Sequence, residues 1–344
     1  MSGRNPRVGI THFGLMKKQK LPDVPDTLES LLQQVKDAYQ PVPTPPKRGK
    51  KPDFSELSWL LLAVVAVTLR TFKDRELHRL LTKDEGLRQT LGFCRVPHRT
   101  WIGRRLASLV SVAETQIAAL GQIIVAEVKP APDECEASAI DGRMYEACGP
   151  RWHAKDRAAE RIPLGLRNVD TQSAWSKSGY RQWVQGYRLL LQGLVFPAPV
   201  PLSAYWRRNH LNEAHLAHEA LTQEKLIVTD VLLGDTTYGQ ADFTGAYETA
   251  GGWVLSPKAL PAQKRSWKND LYGYRKETIE LLFQRIIQAS DLKACQVKGE
   301  GRNGTFTLTS VWLYQICFLA DYRAEKPMAH IKEHLEEARW RLRK

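Results

Sequence analysis

The sequence predicts an α/β fold preceded by an all-helical N-terminal region. Residues 53–128 carry apolar residues at helical spacing almost throughout, beginning with the run SELSWLLLAVVAVTLR from Ser55. From residue 134 onward, strand-like segments alternate with helical ones. The most apolar segment, Leu226–Asp235, has the composition of a strand that is buried on both faces. Lys129–Asp133 contains two prolines and marks the boundary between the two parts.

The order of the predicted elements after this boundary narrows the fold class. It reads strand, strand, strand, helix, strand, helix, strand, helix, which is the order of a ribonuclease-H-like core. The strands are predicted at Ser138–Tyr145, Trp183–Phe196, Pro201–Trp206, Leu226–Asp235 and Gly252–Leu255, and the helices at Leu211–Leu221, Ala241–Thr249 and Arg275–Ala289.

The net charge indicates the kind of partner. The 344 residues include 50 Lys+Arg against 37 Asp+Glu, a formal charge of +13. Such an excess favours a polyanionic partner, most often nucleic acid, although ribosome-associated and anionic-membrane proteins share it. The five cysteines are scattered, which argues against a disulfide framework or a structural zinc site. The sequence shows neither a secretory signal nor an apolar run long enough to span a bilayer, so a cytoplasmic protein without membrane contact is predicted.

The helical region 53–128 is interpreted as a DNA-binding domain. A turn at Pro97 is followed by a helix that carries Arg99, Thr100, Arg104 and Arg105. A short helix, a turn and a basic second helix form the pattern that a helix-turn-helix uses in the major groove. A small helical bundle with a basic face has the same pattern, and the net charge favours the DNA interpretation.

Flanking segments complete the organisation. Residues 1–52 form an arm, with a short helix at Asp26–Tyr39 and a basic, proline-rich linker at Pro41–Pro52. The linker fits contact with DNA phosphates and a simply solvated chain equally well. Near the other end, Leu308–Tyr322 is predicted to pack on the core as a helix. Residues 326–344 form a basic C-terminal helix, for which a solvated terminus is preferred over DNA contact.

Three acidic residues stand where a metal site would need them. Two metal ions held by carboxylates can activate one oxygen of a phosphodiester and stabilise the other. Asp235 ends the most apolar strand, where open α/β sheets bind ligands, and it lies too early to cap the next helix. Asp141 lies on the first strand, where the alternatives are a pair with Arg143 or a turn cap. Glu280 falls at the edge of the apolar stripe of its helix, whereas Glu277 points toward solvent.

Short motifs around these acids resemble the DDE transposases of bacterial insertion sequences, in their IS-four and IS-five-like branch. The resemblance extends from about residue 54 to residue 322, and the order of the motifs is more specific than any one of them. The motifs are AIDG at 139–142, WHAKDR at 152–157, KSGYRQWVQGYRLLL at 177–191, LLGDTTYG at 232–239 and KETIELLFQRI at 276–286.

This resemblance implies a catalytic domain at 129–325 in which Asp141, Asp235 and Glu280 bind two Mg²⁺ or Mn²⁺ ions. It also implies hydrolysis at transposon ends, attack of the freed 3′-hydroxyl on target DNA, and a homodimer in the synaptic complex. The third motif departs from the family pattern. Lys276 stands at the usual arginine position, and Ile287 stands at the usual lysine position.

Other residues are interpreted as DNA contacts. Lys264, Arg265 and Lys268 surround Trp267 before the last core helix, and Lys276 lies one turn before Glu280. Trp183 and Tyr187 alternate with Arg181 and Arg188, a pattern that fits base stacking or, at least as well, packing within a strand. Two rival functions remain open: a nuclease of the same fold, and a repurposed transposase that only binds DNA.

Overall fold

A computed structural model describes residues 28–41, 53–178, 182–261, 266–328 and 330–340. The basic linker, most of the N-terminal arm and the last four residues lie outside the described residues. Within the described part, the helices before the first strand are α1 (Leu28–Ala38), α2 (Glu56–Thr68), α3 (Asp74–Lys83), α4 (Glu85–Thr90), α5 (Arg99–Ala107) and α6 (Val110–Glu127).

The rest of the described chain is a mixed α/β arrangement around one sheet. Its strands are β1 (Ala137–Glu146), β2 (Ala174–Ser178), β3 (Gln182–Leu194), β4 (Val200–Arg208), β5 (Val231–Leu233) and β6 (Trp253–Leu255). Its helices are α7 (Ala154–Ala158), α8 (Glu213–Thr222), α9 (Ala241–Thr249), α10 (Trp267–Ser290), α11 (Glu300–Arg323) and α12 (Ile331–Trp340).

Strand β3 organises the sheet because it pairs along both of its edges. On one edge it runs antiparallel to β1, with Leu191 opposite Asp141. On the other edge it pairs antiparallel with β2 near its start and with β4 further along. β5 then joins β1 in parallel, ending with Leu233 opposite Ala139, and β6 joins β5 in parallel. The carboxyl ends of β5 and β6 therefore meet at the same end of the sheet, next to the middle of β1.

One hydrophobic core joins the helices before the sheet to the sheet itself. α6 and α11 lie against β4, and α11 also packs on α2 and α5. α11 is buried along most of its length, which agrees with the apolar helix predicted there, and Trp206 and Trp312 are fully buried in this core. A second, smaller cluster lies under α8 and α9 on the other face of the sheet. The sheet is thus covered by helices on both faces.

Gly121 shows how closely helix α6 packs against the sheet. A Cβ added at Gly121 of α6 would lie 2.0 Å from the carbonyl oxygen of Leu202 in β4. We expect Gly121→Ala to lower the free energy of unfolding by about 2 to 3 kcal/mol, because the added methyl would push α6 away from the sheet. Urea denaturation measures this change. Gly245→Ala is the matched control: no atom lies within 4 Å of its added Cβ, so equal losses in both variants would contradict the argument.

Most predicted elements agree with the structure to within a few residues, and three differ clearly. One is the helix predicted at Leu308–Tyr322, which begins earlier, as α11 at Glu300. The strand predicted at Leu226–Asp235 is ordered as β5 only over Val231–Leu233. Side chains replace the sheet ladder before it: Gln192 donates to the Ile227 carbonyl oxygen at 2.6 Å, and the Tyr247 hydroxyl accepts from the Thr229 N–H at 2.9 Å. Buried backbone groups need such partners. An apolar, buried segment therefore need not be a strand.

The last core helix also begins earlier than predicted. α10 starts at Trp267 rather than at Arg275, with the Ser266 side chain capping it by accepting from the Lys268 N–H. Its buried stripe is the predicted one, at Ile279, Leu282, Phe283, Ile286 and Ile287. Strand β2 and the short helix α7 were not predicted.

Among the described residues, no helix alone has the length and apolar composition to cross a membrane. α5 and α6 meet that criterion only when taken together, across a bend of 50° between them.

Candidate active site

The candidate site lies at the carboxyl end of β5, where β1 continues beyond its neighbour. The last residue of β1 that pairs with β5 is Ala139, so Asp141 stands where the two strands separate. A crevice beyond the carboxyl ends of parallel strands is the usual ligand site of an open α/β sheet.

Asp141 is half-buried and already has two partners. Its Oδ1 accepts from the Gly142 N–H at 2.9 Å, and its Oδ2 lies 3.4 Å from Nη2 of Arg275 on α10. The ion pair is therefore with Arg275, not with Arg143, the alternative suggested by sequence. Arg143 instead lies over the ring of Tyr145, 5.8 Å from its centroid.

Asp235 stands two residues after β5 and caps a short 3₁₀ turn at Thr236–Gly239. Its Oδ1 accepts from the Thr237 N–H at 2.8 Å. The sequence argument that Asp235 lies too early to cap α9 agrees with the structure, but the intervening 3₁₀ turn was not foreseen. Capping occupies one carboxylate oxygen and fixes the direction of the group.

Glu213, the first residue of α8, completes the cluster. One oxygen from each of Asp141, Glu213 and Asp235 lies within 4.8 Å of the others. Gly142 makes this approach possible, because a Cβ there would lie 2.6 Å from Cδ of Glu213. Arg188 lies beside Glu213, with Nη1 3.6 Å from Oε1, and the Tyr238 hydroxyl donates to Oε2 at 3.4 Å.

Burial and mutual repulsion shift the pKa values of two of these acids. Burial raises the pKa of Glu213 to about 7; Arg188 opposes that rise, while Asp141 and Asp235 add to it. Burial also raises the pKa of Asp141, against the opposing effects of Arg275 and the Gly142 N–H, and the charges of Asp235 and Glu280 raise it further. Carboxylates held together at such a cost favour a bound cation, and an all-oxygen donor set suits Mg²⁺ or Mn²⁺.

The raised pKa of Glu213 predicts a pH dependence of stability. The folded protein keeps Glu213 protonated up to about pH 7, whereas the unfolded chain ionises near the ordinary value of 4.5. The unfolded state therefore binds fewer protons between these values, and stability falls as pH rises through them. In metal-free buffer we expect wild type to lose on the order of 2 kcal/mol more than Glu213→Gln between pH 4.5 and pH 8.

Thermal or urea unfolding at several pH values measures this difference. Mg²⁺ or Mn²⁺ should restore stability to wild type at pH 8 and restore less to Glu213→Gln. Parallel pH profiles for the two proteins in metal-free buffer would show that Glu213 titrates normally.

Glu280 lies apart from the three converging acids. It is exposed on α10, although its charge contributes to the raised pKa of Asp141. Arg275, one residue before Lys276, is the α10 side chain that touches Asp141. Ile287, at the position where the family pattern has lysine, is buried against the core. A lysine there would face the protein interior rather than DNA.

Glu213 was missed by the sequence reading. An acid in the first turn of a helix is common, since it interacts favourably with the helix dipole, so Glu213 looked ordinary. One signal was present in the sequence: Glu213 is the first acid after a stretch from Thr171 to Asn212 that contains no aspartate or glutamate.

Those residues predicted to contact DNA that the structure describes lie in two places. Arg99, Thr100 and Arg104 are exposed on α5, and Arg105 stands over the exposed Trp101 ring, 5.5 Å from its centroid. α5 is fixed in place by packing on α3 and α11. The exposed side chains of α5 therefore form a basic surface on a firmly packed helix.

The second group lies around the start of α10. Lys268 stands 4.7 Å from the centroid of the Trp253 ring and 5.7 Å from that of Trp267. Lys276 is exposed. Lys264 and Arg265 lie outside the described residues.

The base-stacking pattern at the start of β3 divides in the structure. Tyr187 and Arg188 are buried: Tyr187 stacks on Trp206 and donates to Asp170, and Arg188 lies beside Glu213. Packing within the strand, the alternative interpretation, accounts for both. Trp183 is different, because 60% of its surface is exposed.

The chain was compared with family models, curated proteins and solved structures. No family model matches the chain, and no curated protein matches it. Two solved structures resemble it. One is a cryo-EM structure of a piggyBac transposase synaptic complex with hairpin DNA, with 9% identity over 91% of this chain and 76% of that one, and a TM-score of 0.43. The other is a Mos1 transposase paired-end complex with the left transposon end, with 12% identity over 79% of this chain and 81% of that one, and a TM-score of 0.23.

Proposed function

We propose that the protein is a DNA transposase that cleaves phosphodiester bonds at transposon ends and transfers the freed 3′-hydroxyl into target DNA. The observation that carries this proposal is the convergence of Asp141, Glu213 and Asp235 at the carboxyl end of β5. Asp141 and Asp235 are far apart along the chain, and each lies in one of the short sequence motifs.

The sheet supports a ribonuclease-H-like catalytic core. Three antiparallel strands, β1, β3 and β4, are followed by β5 and β6, which join in parallel on the other edge of β1. Helices α8, α9 and α10 follow β4, β5 and β6 in turn. Asp141 lies on β1, Asp235 follows β5 and Glu280 lies on the helix after β6, and this order supports the proposal.

The donor set fits one or two divalent cations. Asp141 and Asp235 would hold Mg²⁺ or Mn²⁺ together with Glu213, and Glu280 would approach from α10 as the third acid of the motif. Bound ions of this kind supply an activated attacking oxygen and a stabilised leaving oxygen.

The protein's own residues orient the acids and the substrate in this proposal. The Thr237 N–H directs Asp235, and the Gly142 N–H directs Asp141. Arg275, now paired with Asp141, would turn to a phosphate oxygen of the substrate, since a guanidinium binds phosphate with two parallel hydrogen bonds.

DNA contact is proposed at both basic surfaces. Residues 53–128 would form the DNA-binding domain, whose contacts with the duplex are Arg99, Thr100, Arg104 and Arg105 on α5. A second group would contact the DNA near the cleaved bond. That second group consists of Lys264, Arg265, Lys268 and Lys276. Synapsis of two ends would bring two chains together as a homodimer.

A strand-transfer assay tests the proposal. Labelled duplexes are made from the DNA that flanks the gene, which supplies the candidate end sequences, and are incubated with the protein and Mg²⁺, Mn²⁺ or EDTA. Metal-dependent cleavage followed by joining to a target plasmid is the expected result. Cleavage without joining would identify a nuclease, and binding without cleavage would identify a protein that only binds DNA.

A further inference from the structure

A two-stranded ribbon projects from the sheet at the end where the acids lie. β1 stops at Glu146, opposite Gly186. Residues 182–185 of β3 continue beyond that point and, within the described chain, pair only with β2. The strand β2 and residues 182–185 are called the ribbon below. Because β1 runs from the core past Asp141 toward Glu146, the ribbon lies beyond the carboxyl ends of β5 and β6.

The base of the ribbon is fixed by side-chain hydrogen bonds. Gln185 accepts from the Trp152 N–H at 2.7 Å and donates to Ser173 at 2.7 Å. Trp175 donates from its ring to the Trp152 carbonyl oxygen at 2.6 Å. On the other strand, Asn209 donates to the Val184 carbonyl oxygen at 3.1 Å. The base of the ribbon is therefore held in one direction, while Gln182 and Trp183 are exposed.

The exposed end of the ribbon carries an aromatic ring beside a positive charge. Trp183 is 60% exposed and is paired across the strands with Lys177, which is also exposed. Directly opposite residues lie on the same face of a ribbon. A tryptophan this exposed on a fixed strand is unusual, because burial of its large ring is strongly favourable. Its position indicates a partner.

The charge around Trp183 indicates that the partner is an anion. No aspartate or glutamate occurs from Thr171 to Asn212, and Lys177 lies on the ribbon opposite Trp183. Arg181 lies outside the described residues. A second copy of this chain, itself strongly basic, would be repelled from such a surface. The phosphate backbone of DNA would be attracted to it.

We propose that the ribbon binds duplex DNA, with Trp183 against the bases of the major groove and Lys177 on the adjacent phosphates. This inference rests on the proposed function, because it takes the same DNA as the acid cluster. The major groove admits a two-stranded ribbon. From Trp183 to Leu191, the residue opposite Asp141, β3 spans about 26 Å at about 3.3 Å per residue. For a duplex that lies along β3, the contact would be about 8 base pairs from the cleaved bond, at about 3.4 Å per base pair.

Equilibrium binding to a fluorescent 40-base-pair duplex in EDTA tests the ribbon without any cleavage. Trp183→Ala is expected to weaken binding about tenfold, and Trp183→Phe should retain most of the affinity because a ring remains to make apolar contact with base edges in the groove. Lys177→Gln should lower the slope of log affinity against log salt by about one. Leu164→Ala is the matched control, since Leu164 is a fully exposed apolar residue on the neighbouring connection between β1 and β2; its affinity should equal that of wild type.

Two results would overturn the proposal. One is wild-type DNA affinity in Trp183→Ala with an unchanged thermal unfolding curve. The other is that Trp183→Ala loses self-association in sedimentation experiments but keeps its DNA affinity, which would identify the ribbon as a protein–protein interface. The transposase proposal stands or falls separately, since it depends on metal-dependent cleavage and joining, whereas the ribbon is tested by binding alone.

Discussion

Replacing Asp235 with alanine is expected to abolish metal-dependent cleavage, with a loss of about 10³-fold or more. Asp235 is the acid that the end of β5 directs into the cluster, where its oxygen lies within 4.8 Å of those of Asp141 and Glu213. Removing one ligand of a metal centre removes several kcal/mol of stabilisation from the transition state, and about 1.4 kcal/mol corresponds to a tenfold change in rate. The initial rate of cleavage of labelled end DNA in Mg²⁺ is the measurement.

Two other acids provide controls for this result. Asp242 is exposed in the first turn of α9, so Asp242→Ala should cleave like wild type. Asp230 is a structural acid, since it accepts from the Glu136 N–H at 3.1 Å. Asp230→Ala should therefore lower the free energy of unfolding while the rate of cleavage by the folded protein stays close to that of wild type. If Asp235→Ala cleaved DNA at the rate of wild type, Asp235 would not be a ligand of the catalytic metal.

The second large effect is expected at Glu213, which lies with Asp141 and Asp235 in the acid cluster. Glu213→Gln is expected to weaken Mn²⁺ binding in the absence of DNA by about 10- to 100-fold, because the amide keeps the shape but loses the charge that draws the cation between Asp141 and Asp235. Glu280→Gln should change this affinity much less, because Glu280 is exposed on α10. Calorimetry or electron paramagnetic resonance of Mn²⁺ measures the two affinities.

Cleavage assays of the same variants separate binding of the ion from chemistry. If Glu280 completes the site only when DNA is bound, Glu280→Gln loses cleavage while it keeps Mn²⁺ affinity. Glu277→Gln, on the same exposed part of α10, serves as its control. Unchanged Mn²⁺ affinity in Glu213→Gln would exclude Glu213 as a ligand.

A local rule in the sequence singles out Asp235, whereas Asp141 is singled out by the resemblance of AIDG to a family motif. An acid at the end of a strongly apolar segment points to the carboxyl edge of a sheet, and parallel pairing brings such edges together. The predicted boundaries of α9 match the structure, since its apolar pattern is confined to nine residues between clear breaks. Local patterns of this kind depend on neighbours in sequence, which is the information that a single chain provides.

Features that depend on distant contacts could not be found in this way. Glu213 joins the site only because α8 packs on α9, on the 3₁₀ turn after β5 and on β3, which leaves its side chain next to Gly142 of β1. The segment before β5 is not a strand because Gln192 and Tyr247 occupy its hydrogen-bonding groups. The ribbon exists because β1 ends at Glu146 while β3 continues past it, and no local sequence pattern indicates where a neighbouring strand ends.

Gly142 gives the short motif AIDG a meaning beyond its acid. A Cβ at position 142 would lie 2.6 Å from Cδ of Glu213. A side chain at position 142 would therefore displace the Glu213 side chain. Positions 142 and 213 are therefore expected to change together among related chains: a glycine next to the strand acid with a glutamate at the start of that helix, or neither. A chain that kept the aspartates but carried a bulky residue at position 142 would have to hold its cation with a different third group, and the pair can serve as a marker for chains that share this form of the site.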